Sequence, residues 1–132
     1  MDTYNIINKI KDDRGIYMKE IFKNLDNQSY EDGVILAVSN SYEKLYYFND
    51  DFDQIPEAVQ KELQVLMVMH TEELGGIIAV GFDKEGHLYI EVTATEYDGF
   101  YDEIGSNLKV KEYQREYKNL FASLEEFYDC FF

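Results

Sequence analysis

A chain of 132 residues, 45% hydrophobic and carrying 12 Tyr and nine Phe, can bury one core, which excludes a disordered acidic tail and predicts a single domain over 1–132. Its one cysteine, Cys130, excludes an intramolecular disulfide, and no apolar run approaches the ~20 residues of a membrane span. The net charge of −15 is concentrated in the middle: residues 26–103 hold 18 Asp and Glu against Lys44, Lys61 and Lys84, while the flanking stretches are close to neutral. Such a segment repels nucleic acid and anionic lipid and attracts basic protein surfaces. Met1-Asp2-Thr3-Tyr4 opens without a basic region or an apolar core of leader length, so a cytoplasmic location is expected.

Ile6, Ile7, Ile10, Tyr17, Met18, Ile21, Phe22 and Leu25 recur at helical spacing, interrupted by Asp12-Asp13-Arg14-Gly15. The pattern predicts a helical N-terminus, in two short helices or one bent one, followed by a polar loop at 26–33. Val34-Ile35-Leu36-Ala37-Val38 is continuously apolar and predicts a strand covered on both faces. Asn40-Ser41 reads as a turn and 43–48 as a half-exposed returning strand. Pro56 and Glu57 suit a first helical turn, and Gly75-Gly76 a left-handed stop, so a helix is expected over 56–74. Its second half, Val65-Leu66-Met67-Val68-Met69, is apolar on nearly every side and predicts the most buried helix.

Ile77 to Phe82 repeats the buried-strand pattern, and Asp83-Lys84-Glu85-Gly86 reads as a hairpin turn with a positive φ at the glycine. In 87–95, Leu88, Ile90, Val92 and Ala94 should face inward and His87, Tyr89, Glu91, Thr93 and Thr95 outward. After an acidic, aromatic loop at 98–103, Ser106 is the expected cap of a helix over 107–130. An apolar stripe runs along that helix from Val110 to Phe131. The fold class expected is α+β: a mainly antiparallel sheet of four or more strands, built from two hairpins and covered by the helices at 56–74 and 107–130. Strands 34–39 and 77–82 should lie inside.

Asp51, Asp53 and Glu62 sit at the first, third and twelfth positions of a calcium loop, but Ile55 stands where an oxygen ligand belongs and Pro56 where glycine is needed. His70 and Glu73 have an i, i+3 metal-ligand spacing without the second motif that such sites use. The row His87, Tyr89, Glu91 could present a general base, although alternating polar residues also describe any solvated sheet face. Cys130 follows Asp129 at the negative end of a helix, a setting that makes a poor nucleophile. Phe127, Tyr128, Phe131 and Phe132 either finish the core or anchor a partner. No catalytic residue, cofactor or metal is assigned.

Leu88-Tyr89-Ile90-Glu91-Val92, Tyr101-Asp102-Glu103-Ile104-Gly105, Gln114-Arg115-Glu116 and Leu120-Phe121 resemble a family of small acidic bacterial proteins of unknown function, which implies no activity or ligand. The order of elements is similar in layout to roadblock and longin domains, less their fifth strand. The functional expectation is a non-catalytic protein–protein interaction module. Its candidate surface is Asp50, Asp51, Asp53, Asp98, Tyr101, Asp102 and Glu103, and its partner a basic or mixed protein surface or a second copy in a homodimer. The alternatives are a nucleic-acid-mimicking inhibitor of a basic protein, and an acid–base or metal-assisted enzyme using His87 and Glu91.

Overall fold

The computed structural model describes residues 33–132. The helical N-terminus expected over 1–25, and the 26–33 loop apart from Gly33, lie outside the described residues. Strand β1 (Val34–Asn40) pairs with β2 (Leu45–Phe48), and β3 (Ile77–Phe82) with β4 (Leu88–Thr93), all antiparallel. β1 and β3 pair in the middle, giving the order β2-β1-β3-β4. Helix α1 (Glu57–Leu74) joins the two hairpins, and α2 (Glu103–Glu116) and α3 (Lys118–Phe131) follow the sheet. The fold is α+β, and the two continuously apolar runs are its inner strands.

A bulge in β1 sets which side chains meet the helices. The register with β3 shifts between Ile35 and Ala37, so Leu36 and Ala37 both join the core instead of alternating. Asn49, fully buried just after β2, occupies the polar groups there: its backbone N–H donates to Leu36 O (2.8 Å) and its Nδ2 to Ile35 O (2.8 Å). Its Oδ1 accepts from Asp51 N (2.9 Å), starting the 3₁₀ turn at Asp50–Phe52. That turn delivers Phe52 onto Phe82, with ring centroids 5.7 Å apart, and Tyr128 stacks on Phe82 at 4.6 Å.

Leu63, Leu66 and Met67 of α1, Tyr113 of α2 and Leu120, Phe121 and Leu124 of α3 pack with Leu36, Ile78, Val80 and Phe82 on one sheet face. Leu88, Ile90 and Val92 add the inward side of β4, as the alternation predicts. On the opposite face Ile35, Val38, Ile77 and Ala79 are also buried, so the inner strands are covered on both sides. Gly76 has a φ of +71°, and a side chain there would collide with Thr93 O and the Tyr101 ring, so the stop after α1 requires glycine.

Three local expectations are corrected. The second half of α1 is not buried all round: Val65 and Met69 are about half exposed, because only the stripe through Leu63, Leu66, Met67, His70 and Thr71 faces the sheet and the other helices. The helix expected over 107–130 is two helices that meet at Tyr117, whose φ of −107° and ψ of 26° depart from helical values. No glycine or proline marks the break. α2 is held by α1 through Tyr113, whereas α3 must reach Phe82, and one straight rod does not serve both. Ser106 is not the cap but lies fully buried inside α2; Asp102 caps it by accepting from Gly105 N at 2.9 Å.

Leu124→Ala, which empties a fully buried position, is expected to cost about 2–5 kcal/mol in urea unfolding, and Val65→Ala less than about 0.5 kcal/mol. Asn49→Ala should cost about 1–3 kcal/mol despite its small change in volume, since it strands a buried carbonyl. Equal midpoints for the parent and Asn49→Ala would remove the bulge from this account.

Candidate functional site

The seven candidate surface residues divide between the two ends of the sheet. Asp50, Asp51 and Asp53 sit in and after the 3₁₀ turn beside Phe52, at the end where β1 begins and β3 finishes. They are exposed, and the charges of Asp50 and Asp51, together with burial as the larger cause, push the Tyr47 hydroxyl up to about 12. Asp98, Tyr101, Asp102 and Glu103 follow β4, at the end where Thr93 pairs with Ile77. The six residues of β3 separate the groups by roughly 15–20 Å.

The second group is the more constructed one. Tyr42, in the β1–β2 loop, donates its hydroxyl to Asp98 Oδ2 (2.6 Å) and accepts from Thr95 N (3.3 Å), tying two loops together. Burial first, then the Asp98 hydrogen bond, pushes that hydroxyl up to about 12. Asp98 Oδ1 also accepts from Phe100 N (3.2 Å), folding the loop back on itself. Tyr101 packs its ring over Gly76 and is half-buried. Burial raises its pKa, with the charges of Glu103, Asp102 and Asp98 acting the same way, so these acids surround one ring. The Tyr101 and Ser106 hydroxyls lie near each other, yet neither completes a hydrogen bond of good geometry.

Between these acids the chain leaves large apolar side chains in solvent: Tyr97 is 89% exposed, Phe100 102%, Ile104 76% and Leu108 60%. Ile104 and Leu108 are one turn apart on α2, so they share a face. The sequence predicts acids and aromatics here but assigns Ile104 no role and places Leu108 within a core helix. Helix spacing was the available signal, obscured by starting the helix four residues late.

His87 and Glu91, the alternative catalytic pair, lie on the opposite sheet face from the core, with His87 at the β3–β4 turn. His87 Nδ1 is 3.8 Å from Asp83 Oδ2 and 3.7 Å from Glu85 Oε2, and its side chain is 69% exposed. The ligand atoms of Asp83, Glu85 and His87 lie within 4.8 Å of one another, so the trio could hold a cation at this exposed tip. The sequence pattern predicts only a turn at 83–86. Acids at i and i+2 with histidine at i+4 were the signal, because the turn brings them to one side. Asp83 Oδ1 already accepts from Glu85 N and His87 N (2.9 Å each), which explains its place without a ligand. Cys130 is exposed near the end of α3. Tyr128 joins the core rings, while Phe131 and Phe132 are more than half exposed around a small apolar hollow with Phe52 and Ile55.

His70 is structural. It is 1% exposed, and its Nδ1 lies 2.8 Å from the Tyr113 hydroxyl across the α1–α2 contact. Burial pushes the Tyr113 hydroxyl up to about 12, so it keeps its proton, and the His70 tautomer decides whether the hydroxyl or the ring nitrogen donates in that bond. Burial lowers the His70 pKa; Glu73 opposes the shift and Lys109 adds to it.

Residues 33–132 match the model of DUF6145, a family of unknown function, and the chain belongs to it. The match covers every described element, more than the stretch from Leu88 to Phe121 that carried the resemblance. Among curated proteins and solved structures nothing matches the chain, so its likeness in layout to roadblock and longin domains carries no argument. Among the described residues no helix is long and apolar enough to cross a membrane.

A lowered histidine pKa means the unfolded chain takes up the proton first. The stability from neutral His70 is therefore complete above its ordinary value near 6.5 and is lost as pH falls below it. Relative to His70→Asn, the parent should lose stability between pH 7.5 and 5.5. Comparing the two proteins removes the opposite effect of carboxylate protonation, and parallel profiles would show that His70 does not titrate on unfolding.

Proposed function

We propose that this protein is a non-catalytic interaction module that docks a basic or mixed protein surface through the end of the sheet formed by residues 96–108. The observation that carries the proposal is the cluster Tyr97, Phe100, Ile104 and Leu108, well exposed and flanked by Glu96, Asp98, Asp102 and Glu103. A fully exposed phenylalanine has no role in the fold, and a patch of aromatic and branched side chains with a charged rim has the anatomy of a docking site. The aromatics would act as anchors, and the acids would select a Lys- or Arg-bearing partner and speed encounter. The Tyr42–Asp98 bond holds the loop in shape before binding, which lowers the ordering cost.

A small patch explains the acids better than nucleic-acid mimicry, since the candidate carboxylates are divided between opposite ends of the sheet and do not follow one another in a long row. The exposed placement of His87 at the β3–β4 turn, on the sheet face opposite the core, gives the enzymatic alternative little support. A second copy of the chain remains within the proposal, because Asp50, Asp51, Phe131 and Phe132 form a further exposed acidic and aromatic area.

Partners retained by the parent from a lysate of the native host, identified by mass spectrometry, should be lost on a Phe100→Ser, Ile104→Ser double variant of unchanged stability. Binding of the purified partner should slow as ionic strength rises and the Debye length falls below about 8–10 Å. Sedimentation of both proteins separates a homodimer from a heterologous complex. Retention of every partner by the double variant would dismiss this surface.

A further inference from the structure

The sheet has a second apolar face, and the described helices all lie on the other one. Pairing of Val38 with Ala79, and of Asn40 with Ile77, sets these residues on the side opposite Leu36, Ile78 and Val80, and Ile35 joins them. Helices α1, α2 and α3 deliver Leu66, Tyr113 and Leu124 to the core side. Ile35, Val38, Ile77 and Ala79 are nevertheless between 1% and 3% exposed, as deeply buried as the core itself. An apolar layer of this kind needs an element laid over it, and none of the three helices supplies one.

Residues 1–25, outside the described residues, carry the pattern that such a face requires. Ile6, Ile10, Tyr17, Ile21 and Phe22 belong to their apolar stripe at helical spacing. The same residues hold five Lys and Arg against four Asp and Glu, in a chain that holds 12 against 27. Glu91, the half-buried neighbour of Ala79 on β4, puts an acid on this face for those bases. The connection is long enough: residues 26–33 span up to roughly 26 Å at about 3.3 Å each before Val34 starts β1 at one end of the sheet. The face itself measures roughly 15–20 Å in either direction, from four strands about 4.8 Å apart and inner strands of six or seven residues.

We propose that residues 1–25 dock as an amphipathic helical layer across this second face, with their apolar stripe on Ile35, Val38, Ile77 and Ala79 and a Lys or Arg toward Glu91. The occupant is the chain's own segment and not a second copy, because a tether of this length holds it at an effective concentration on the order of millimolar. The sheet then lies between two helical layers. Ala79 is the small residue between Val38 and Glu91, so a larger apolar side chain of the stripe enters above it. At Gly81 the place is already taken: a Cβ there would meet the Tyr89 hydroxyl at 2.7 Å. The layer is independent of the docking patch at 96–108 and of whether that patch has a partner.

The test is NMR on the full chain with labelled Ile, Val and Ala methyl groups. Nuclear Overhauser contacts should join Val38 or Ala79 to side chains within residues 6–25, and should persist when the labelled chain is diluted into an excess of deuterated chain. Ile10→Asp and Ile21→Asp each put a carboxylate into the stripe and should lower the thermal midpoint by at least about 4 °C. Asn8→Ser, off the stripe, and Phe100→Ser, in the docking patch, should leave the midpoint and the contacts as they are, which separates this layer from the docking surface. The contacts are read in the parent, so they decide even where an aspartate variant does not fold. Contacts that vanish on dilution would assign the face to a second copy and overturn the proposal. So would the lack of any contact from residues 6–25 to Ile35, Val38, Ile77 or Ala79, or parental midpoints for both aspartate variants.

Discussion

The bulge in β1 is the constraint on which the packing of this protein rests. A strand alternates its side chains, so a regular β1 would send either Leu36 or Ala37 away from the helices and shift every later residue to the wrong face. The extra residue lets Val34, Leu36, Ala37 and Ser39 all contribute to the helix side, while Ile35, Val38 and Asn40 serve the other. Ser39 then reaches Thr71 of α1, and Asn40 is positioned to cap the hairpin loop. The freed backbone groups need partners, and Asn49 supplies them while starting the turn that carries Phe52 to the core.

Placement of charge follows from that core. The inner strands hold no acid or base along their lengths, and the candidate acids collect at turns and loops where water solvates them. Repulsion among carboxylates at opposite ends of the sheet is weak, because they are separated by more than a Debye length. The candidate acids, three in and after the 3₁₀ turn and three after β4, therefore stand at two ends of the sheet, with Phe131 and Phe132 exposed near the first and Tyr97 and Phe100 near the second.

The candidate site was only partly legible in the sequence. Acids and aromatics at 98–103 are visible as composition, but the role of each is tertiary: Asp98 ties two loops, Asp102 caps a helix and Tyr101 closes over Gly76. Asn40 and Tyr46 read as a turn and a half-exposed strand, because local pattern does not reveal which donors are buried without partners once the sheet is covered. A hydrogen-bond deficit belongs to the folded state alone.

The sequence by itself determined the α+β class, the two inner strands and the glycine stops. Each rests on local physics: continuous apolar runs need cover on both faces, and Gly75, Gly76 and Gly86 adopt positive φ without steric cost. Only the tertiary structure decided that Tyr117 divides the last helix, that Val65 and Met69 face water, and that Asp102 caps α2 while Ser106 is buried. A helical stripe records that side chains want burial but not against which neighbour. The choice is made when α2 meets His70 through Tyr113 and α3 meets Phe82 through Tyr128, contacts between residues 43 or more positions apart.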